Sequence, residues 1–254
     1  MNLNFNVDIS ATYHSNTQKA RILTESWVAD NMYCPRCGNR YVNHFPNNSP
    51  VADFYCPKCK NEYELKSKIG PLTKKINDGA YATMIERITS NQNPDFLFMN
   101  YSKESFCVKD LIFIPKHFFV PEIIEKRKPL SETARRAGWT GCNILIDKIP
   151  EQGKINIVSN GIVQKKTEVT NKVKRSINLS TNDIYARGWI MDILNCVNQQ
   201  PREFSLSSIY EFEGELSKKH LDNKNIQAKI RQQLQILRDK GYIEFLGQGK
   251  YRKL

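Results

Sequence analysis

Two Cys-x-x-Cys pairs are the feature that most constrains how this chain folds. Cys34-Pro-Arg-Cys37 and Cys56-Pro-Lys-Cys59 enclose residues 38–55, a spacing typical of a four-cysteine zinc site. Four thiolates fill a tetrahedral zinc shell and leave no coordination position for water or substrate. We therefore predict a structural zinc ion that fixes residues 34–59, with four unligated thiols as the alternative. The cysteines without such a spacing are expected in the core: Cys107, Cys142 and Cys196.

The charge balance favours a polyanionic partner. The chain has 254 residues, with 38 Lys and Arg against 26 Asp and Glu, and a formal net charge of +12. This excess makes nucleic acid the first partner to consider, and a basic protein without such a partner is the alternative. No apolar stretch approaches the roughly 18 residues that a membrane span needs, and no secretory signal is visible. We therefore expect a cytoplasmic protein with reduced thiols and no membrane partner.

The order of apolar patterns predicts a mixed α/β domain in the first part of the chain. A capping-box pattern at Ser15 begins a helix that is expected to end near Asn31. The segment Ile76–Ile88 has the periodicity of a helix, whereas alternating or continuous apolar runs elsewhere predict strands. The strands are expected at 51–56, 62–68, 96–101, 111–114 and 153–161, the last ending in an Asn-Gly turn.

Beyond a polar linker at 176–183, the pattern becomes helical. Three helices followed by a hairpin are the arrangement of a winged-helix domain. We therefore expect residues 1–178 to form the α/β domain and residues 179–254 to form the winged helix. The helices are predicted at 184–197, 206–220 and 225–240, and the hairpin around Gly247.

Asp53, Glu64 and Lys66 form a candidate catalytic centre. Side chains alternate along a strand, so Glu64 and Lys66 share one face, and Asp53 can join them from the neighbouring strand. Two carboxylates and the backbone carbonyl of Leu65 offer oxygen ligands to Mg²⁺, which activates water and stabilises charge on a scissile phosphate. Lys66 is then placed to orient the attacking water or to stabilise the developing charge.

This spacing of acids and lysine is weakly specific by itself, because charged strand edges are common. Glu64-Leu65-Lys66 is, however, the only Glu-x-Lys in the sequence. A rival acid, Asp95, is interpreted as a turn residue before a core strand. The cysteine pairs enclose Asp53, so the predicted zinc site would fix the strand that carries this acid.

The C-terminal segment is a candidate DNA-binding surface. The last predicted helix turns polar side chains away from its apolar stripe, and Arg and Gln suit base edges in the major groove. The predicted wing adds two cations that would contact phosphates. A solvated polar face of a surface helix is the alternative. The residues concerned are Arg231, Gln232 and Gln235 on the helix, with Lys250 and Arg252 in the wing.

A loop in the α/β domain is a second candidate DNA-binding surface. It runs from Thr133 to Gly141 and contains Arg135, Arg136 and Trp139. Arginines beside a tryptophan are suited to grip a phosphate and to stack on a base. A core or lid role for Trp139 is the alternative.

Seven stretches carry a family resemblance: KARILTE, YCPRCGN, PVADFYC, EYELKSK, INDGAYATM, TARRAGW and IRQQLQILRDKGYIEFLGQGKYRKL. Through them the chain resembles, over its full length, the DpnI family of methyl-directed restriction endonucleases. The resemblance implies a PD-(D/E)xK nuclease domain with a zinc cluster, joined to a C-terminal winged helix. It places Asp53, Glu64 and Lys66 on the nuclease signature and the four paired cysteines on the zinc positions. The literal Pro-Asp pair of the wider signature is absent, because two residues separate Pro50 from Asp53.

The resemblance also implies a substrate. This would be double-stranded DNA at GATC sites whose adenine carries an N6-methyl group, and cleavage would need Mg²⁺. A reader of one methyl group needs an apolar or aromatic recess, worth about 1–3 kcal/mol, and our hypothesis is that Trp139 forms its wall. We expect a monomer in solution.

Two alternatives to this function remain at this stage. The first is a zinc-containing winged-helix regulator that binds DNA and cuts nothing. The second is a nuclease of RNA or of single strands, which would favour exposed aromatic platforms over a groove-reading helix.

Overall fold

A mixed β-sheet is the centre of the fold. The computed structural model describes residues 1–46, 52–90 and 92–254. The strands of these residues are β1 (Asn43–His44), β2 (Phe54–Tyr55), β3 (Glu62–Ile69), β4 (Lys75–Ala80), β5 (Asp95–Ser102), β6 (Cys107–Ile114), β7 (Ile124–Lys126), β8 (Gly141–Leu145), β9 (Ile155–Ser159), β10 (Ile162–Val163), β11 (Glu203–Ser205), β12 (Ile243–Gly247) and β13 (Lys250–Lys253).

The main sheet has seven strands in the order β1-β2-β3-β5-β6-β9-β10. Strands β3 and β5 are parallel, and the other neighbours are antiparallel. Alternate residues of β5 enter two different cores, with Phe96 and Phe98 in one and Leu97 and Met99 in the other. Because both faces of β5 are covered, its sequence is an almost continuous apolar run, which explains why this strand was predictable.

Helices cover both faces of the main sheet. The α-helices of the described residues are α1 (Asn16–Asn31), α2 (Tyr81–Thr89), α3 (Lys166–Ile177), α4 (Ile184–Asn198), α5 (Leu206–Tyr210), α6 (Glu213–Lys219) and α7 (Ile226–Asp239). Helices α1 and α3 pack on the face of Leu97. Helix α2 packs on the opposite face together with a small sheet of order β4-β8-β7. None of the described helices is long and apolar enough to cross a membrane.

The C-terminal part consists of α4–α7 and a three-stranded sheet of order β11-β13-β12. Asp183 caps α4, since its carboxylate accepts hydrogen bonds from the amides of Tyr185 and Ala186. Helix α7 buries Ile230, Leu234 and Leu237. These residues belong to the same hydrophobic cluster as α2 and Phe96, so one core continues from the main sheet into the C-terminal part.

The mixed α/β prediction is confirmed, but four local predictions differ from the structure. The segment Ile76–Ile88 is not one helix: its first residues form β4, which pairs with β8, and α2 begins at Tyr81. The helix predicted at 206–220 is divided into α5 and α6, and β11 precedes it unpredicted. Ser15 precedes α1 as expected, but its side chain makes no capping hydrogen bond. The strand predicted at 51–56 is limited to β2, and Val51 and Pro50 lie outside the described residues.

Candidate active site, cysteine cluster and DNA-binding surfaces

The four paired cysteines form a cluster. Their sulfur atoms all lie within 4.8 Å of one another, and Cys34 Sγ is 3.6 Å from Cys59 Sγ. The distance between Cys37 Sγ and Cys56 Sγ is also 3.6 Å. Zinc–sulfur bonds of about 2.3 Å in a tetrahedron imply sulfur–sulfur distances of roughly 3.8 Å. The number and proximity of these sulfurs therefore suit one tetrahedral zinc ion.

Two similar turns present these sulfurs. The amide of Gly38 donates to the carbonyl of Cys34, and the amide of Lys60 donates to the carbonyl of Cys56, both at 2.9 Å. Gly38 and Lys60 both have a left-handed backbone, with φ of 72° and 60°. In each turn the second cysteine directs its amide to the sulfur of the first. Burial raises the pKa of the Cys34 thiol, so a bound cation is needed to keep this sulfur a thiolate at neutral pH.

Asp95 connects the two cysteine turns to the main sheet. This carboxylate is fully buried. It accepts hydrogen bonds from Arg36 at 2.5 and 2.8 Å, from the Asn61 amide group at 2.7 Å and from the Lys116 backbone at 2.8 Å. Arg36 lies in the first turn and Asn61 follows the second. The interpretation of Asp95 as a turn residue was therefore wrong, since it is the first residue of β5 and a buried hub.

The second cysteine turn also determines where Asp53 lies. It connects β2 to β3, which pair with Phe54 opposite Tyr63, and Asp53 directly precedes β2. The amide of Asp53 donates to the carbonyl of Tyr63 at 3.0 Å. The carboxylate of Asp53 accepts the Leu65 amide at 2.7 Å. Because the amide and carbonyl of a strand residue point to the same side, the Leu65 carbonyl also faces Asp53.

Glu64 and Lys66 share the α2 face of β3, as alternation predicted. Lys66 Nζ is 2.5 Å from Glu64 Oε1, and it also forms an ion pair with Asp78 on β4. Glu64 Oε2 is 3.1 Å from Arg87 Nη1 on α2. Negatively and positively charged side chains therefore alternate in the order Asp78, Lys66, Glu64, Arg87. They line a cavity of about 170 Å³ together with Gly79, Ala80, Thr83 and Met84.

The surroundings of Asp53 disfavour its charged form, whereas the surroundings of Lys66 favour its charged form. Burial raises the pKa of Asp53, and the charges of Glu64 and Glu25 raise it further, against the hydrogen bond from Leu65. Burial would lower the pKa of Lys66, but the carboxylates of Glu64 and Asp78 outweigh it and raise this pKa. Lys66 is therefore cationic at neutral pH, and a cation beside Asp53 would relieve the unfavourable environment of that carboxylate.

Asp78 and Arg87 were missed in the sequence. The signal for Asp78 was hidden because Ile76–Ile88 has a helical periodicity, whereas Asp78 lies on a strand. Glu25 was also missed; it lies on α1 and binds Arg21 Nε at 2.8 Å and His44 Nε2 at 3.0 Å. No pattern near Glu25 distinguished it from a surface acid, because its partner His44 is brought to it only by the β1–β2 pairing.

The loop that carries Trp139 begins next to this cavity. Residues 130–139 are closed by hydrogen bonds from the amide of Leu130 to the carbonyl of Trp139 at 2.9 Å and from the amide of Gly138 to the carbonyl of Leu130 at 3.1 Å. The Arg136 guanidinium lies 4.8 Å from the Trp139 ring centroid, and Arg135 and Arg136 are exposed. The half-buried ring packs on Gly141, where a Cβ would lie 2.8 Å from Trp139 Cη2. Gly141 therefore has to lack a side chain.

The C-terminal candidates lie on α7 and in the β12–β13 hairpin. Arg231, Gln232 and Gln235 are all exposed, on the side of α7 opposite to its buried residues. Arg231 Nη1 donates to the Tyr210 hydroxyl at 2.7 Å. Lys250 is exposed. Arg252, by contrast, binds Glu203 on β11 at 2.9 Å and Glu244 on β12 at 3.2 Å, so its predicted phosphate contact would compete with two internal ion pairs.

Two family models match the chain. The model of the DpnI family, described as the Dam-replacing family, matches residues 1–182. The model of the Dam-replacing HTH domain matches residues 185–253, which include α5–α7 and all of α4 except its first residue. The match to this family and to its HTH domain supports, in general terms, a methyl-directed restriction enzyme. The chain belongs to the Dam-replacing, or DpnI, family.

Proposed function

We propose that this protein is a Mg²⁺-dependent endonuclease that cleaves double-stranded DNA at GATC sites containing N6-methyladenine. The observation that carries the proposal is that the Asp53 carboxylate binds the Leu65 amide, between Glu64 and Lys66, which form an ion pair and line a cavity. Ala80, which also lines this cavity, pairs with Gly141 at the end of the loop that carries Arg135 and Arg136. Family membership supports a restriction enzyme, and the site supports the hydrolysis of a phosphodiester.

The donor atoms of this edge suit magnesium. The carboxylates of Asp53 and Glu64 and the carbonyl of Leu65 are hard oxygen ligands of the kind that Mg²⁺ prefers. When bound, the ion would supply a water of lowered pKa and positive charge for the scissile phosphate. Cys34, Cys37, Cys56 and Cys59 would hold a structural Zn²⁺ that fixes the β2–β3 turn.

The residues around the ion have separate roles in this proposal. Lys66 would orient the attacking water or stabilise the charge that develops on the phosphate. Asp53 and Glu64 would position the ion rather than transfer protons. Arg87 would orient Glu64 through their 3.1 Å ion pair.

DNA would be bound from two sides. Arg135 and Arg136 would contact phosphates near the cavity, and Trp139 would form the wall of the methyl recess. On the HTH domain, Arg231, Gln232 and Gln235 would read base edges, while Lys250 and Arg252 would contact phosphates. We propose that one monomer acts on its DNA in the cytoplasm.

The proposal is tested with a plasmid in three forms: unmethylated, methylated on adenine in GATC, and methylated on adenine in a different sequence. Each is incubated with the purified protein in Mg²⁺ or in EDTA. We expect cutting of the GATC-methylated plasmid alone, and only in Mg²⁺. Binding without cutting under every condition would contradict the nuclease and favour a zinc-containing DNA-binding regulator.

The role of Trp139 has its own test. We expect Trp139→Ala to cut methylated and unmethylated GATC plasmids at similar rates, because the recess for the methyl group is lost. Trp139→Phe, which keeps an aromatic wall, should retain most of the preference. An unchanged methyl preference in Trp139→Ala would contradict this role.

A further inference from the structure

Asp78 is the acid of the candidate site that no sequence motif indicated. Its side chain is only 7% exposed, and it forms an ion pair with Lys66. The pairing of β4 with β8 shifts register between Asp78 and Ala80, so Gly79 lies in a bulge directly after Asp78. Bulges often occur next to active sites, where they redirect a side chain. The bulge thus interrupts the regular alternation of side chains along β4 directly after Asp78, the residue that contacts Lys66.

Lys66 lies between two carboxylates, and these differ in what else they contact. Glu64 also binds Arg87 and, in the proposed function, a divalent cation together with Asp53. A divalent cation bound to Glu64 would repel the Lys66 ammonium group and so weaken the ion pair between Glu64 and Lys66. Asp78 lies on a different strand from these ligands and contacts the other side of the ammonium group. It is therefore the anion that keeps Lys66 in place once Glu64 is occupied.

The surroundings of Asp78 also connect it to the Trp139 loop. Asp78 pairs with Cys142 on β8, the strand that begins where this loop ends. The amide of Tyr81 donates to the carbonyl of Thr140 at 3.1 Å. A hydrogen-bonded strand pair thus joins the loop that would face DNA to the acid that contacts Lys66.

We propose that Asp78 is a positioning residue that holds the Lys66 ammonium at the reacting phosphate while Asp53 and Glu64 hold the metal ion. This inference rests on the proposed function. It assigns Asp78 no contact with the substrate or the ion, so that its effect on cleavage acts through Lys66.

The test compares single-turnover cleavage of GATC-methylated DNA by wild type, Asp78→Asn and Asp78→Glu. Displacement of a catalytic group by about 1 Å can cost on the order of 100-fold in rate, and we expect a loss of this order in Asp78→Asn. DNA affinity and the Mg²⁺ concentration for half-maximal rate should stay unchanged, and Asp78→Glu should recover at least part of the rate. The matched control is Glu125→Gln, which removes another ion pair of β4 in the same small sheet, with Lys75, and should leave cleavage unchanged.

A double-mutant cycle distinguishes positioning from a general structural effect. In a Lys66→Met background, Asp78→Asn should cause no further loss of rate, since the residue it positions is gone. An equal fold-loss in both backgrounds would overturn the inference, as would a shift of the Mg²⁺ midpoint, which would make Asp78 a metal ligand. Zinc content and thermal unfolding are measured for each variant, and Asp78→Ser replaces Asp78→Asn if the latter does not fold.

The two proposals fail in different ways. If wild type cuts no methylated DNA, the proposed function fails and the inference with it. If wild type cuts and Asp78→Asn cuts equally fast, the inference alone is overturned.

Discussion

The cysteine cluster and the carboxylate site both include residues of the β2–β3 hairpin, but they balance charge in opposite ways. The four sulfurs lie within 4.8 Å of one another, and two pairs of them are 3.6 Å apart. The carboxylates of Glu64 and Asp78 instead have Lys66 between them, and Glu64 has Arg87 on its far side. A cluster of thiolates without an internal cation depends on a metal, whereas the carboxylate site carries its own cations and folds without one.

This difference separates a metal that shapes the protein from a metal that does chemistry. A closed shell of four sulfurs has no position for a substrate, and its loss would affect the fold. Because Glu64 and Asp78 are already paired with cations, we expect this site to lose or gain Mg²⁺ without unfolding, which suits an ion that must share its ligands with water and phosphate. The predictions below test that contrast.

The largest expected effect follows from removing a cluster ligand. We expect Cys56→Ser to lose the metal and several kcal/mol of unfolding free energy, because metal binding and folding are coupled at such sites. Zinc analysis and urea unfolding check this. Cys107→Ser, which lies outside the cluster, is the control and should keep both. A fully stable Cys56→Ser would mean that the cluster does not support the fold.

The next effect concerns the support of the cluster. Arg36→Ala leaves the buried Asp95 without its main cation, which we expect to cost about 3–5 kcal/mol. Lys165→Ala, which removes an exposed ion pair with Glu168, should cost less than about 0.5 kcal/mol. Urea unfolding of both variants measures the difference. Equal stabilities would show that Asp95 is not a hub.

A smaller loss of unfolding free energy is expected at the carboxylate site. Lys66→Met leaves Glu64 and Asp78 without their shared cation, and we expect a loss of about 1–3 kcal/mol. Mg²⁺ should restore part of this stability, because an ion that binds only the folded state raises its unfolding free energy. Lys75→Met, whose partner Glu125 is exposed, is the control. No loss on removing Lys66 would contradict the internal charge balance described above.

The smallest effect links the two regions. The Tyr63 hydroxyl lies 2.9 Å from Cys34 Sγ, while the backbone of Tyr63 holds Asp53. We expect Tyr63→Phe to cost about 1 kcal/mol, the usual value of one hydrogen bond, in thermal unfolding. Tyr41→Phe, at an exposed tyrosine, should be neutral. A loss of metal from Tyr63→Phe would mean that the hydroxyl contributes far more than one hydrogen bond.

The sequence allowed prediction of those features that depend on neighbouring residues. Two cysteine pairs at the correct spacing are sufficient for a cluster, because each tight turn presents its own sulfurs. Strand alternation likewise placed Glu64 and Lys66 on one face. Asp53 was expected to join them from the neighbouring strand, and the short β2–β3 connection brings its carboxylate to the Leu65 amide.

Features that depend on distant pairs could not be predicted in this way. Arg36 meets Asp95, and Lys66 meets Asp78, only after β3, β4 and β5 have taken their places. The apolar spacing of Ile76–Ile88 fits a helix, but pairing of β4 with β8 overrode it. Arg252 looked like a free wing residue because β11, which supplies Glu203, is too short to give a sequence signal.

Cleavage by Asp53→Asn tests the central claim most directly. Burial raises the pKa of Asp53, so its ionised form is less favourable in the folded protein than in the unfolded chain, and a neutral isostere should not lower stability at pH 7. We therefore predict that Asp53→Asn keeps its zinc and its unfolding free energy, while its cleavage of GATC-methylated DNA in Mg²⁺ falls by on the order of 1,000-fold. Cleavage within tenfold of wild type by this folded variant would contradict the account.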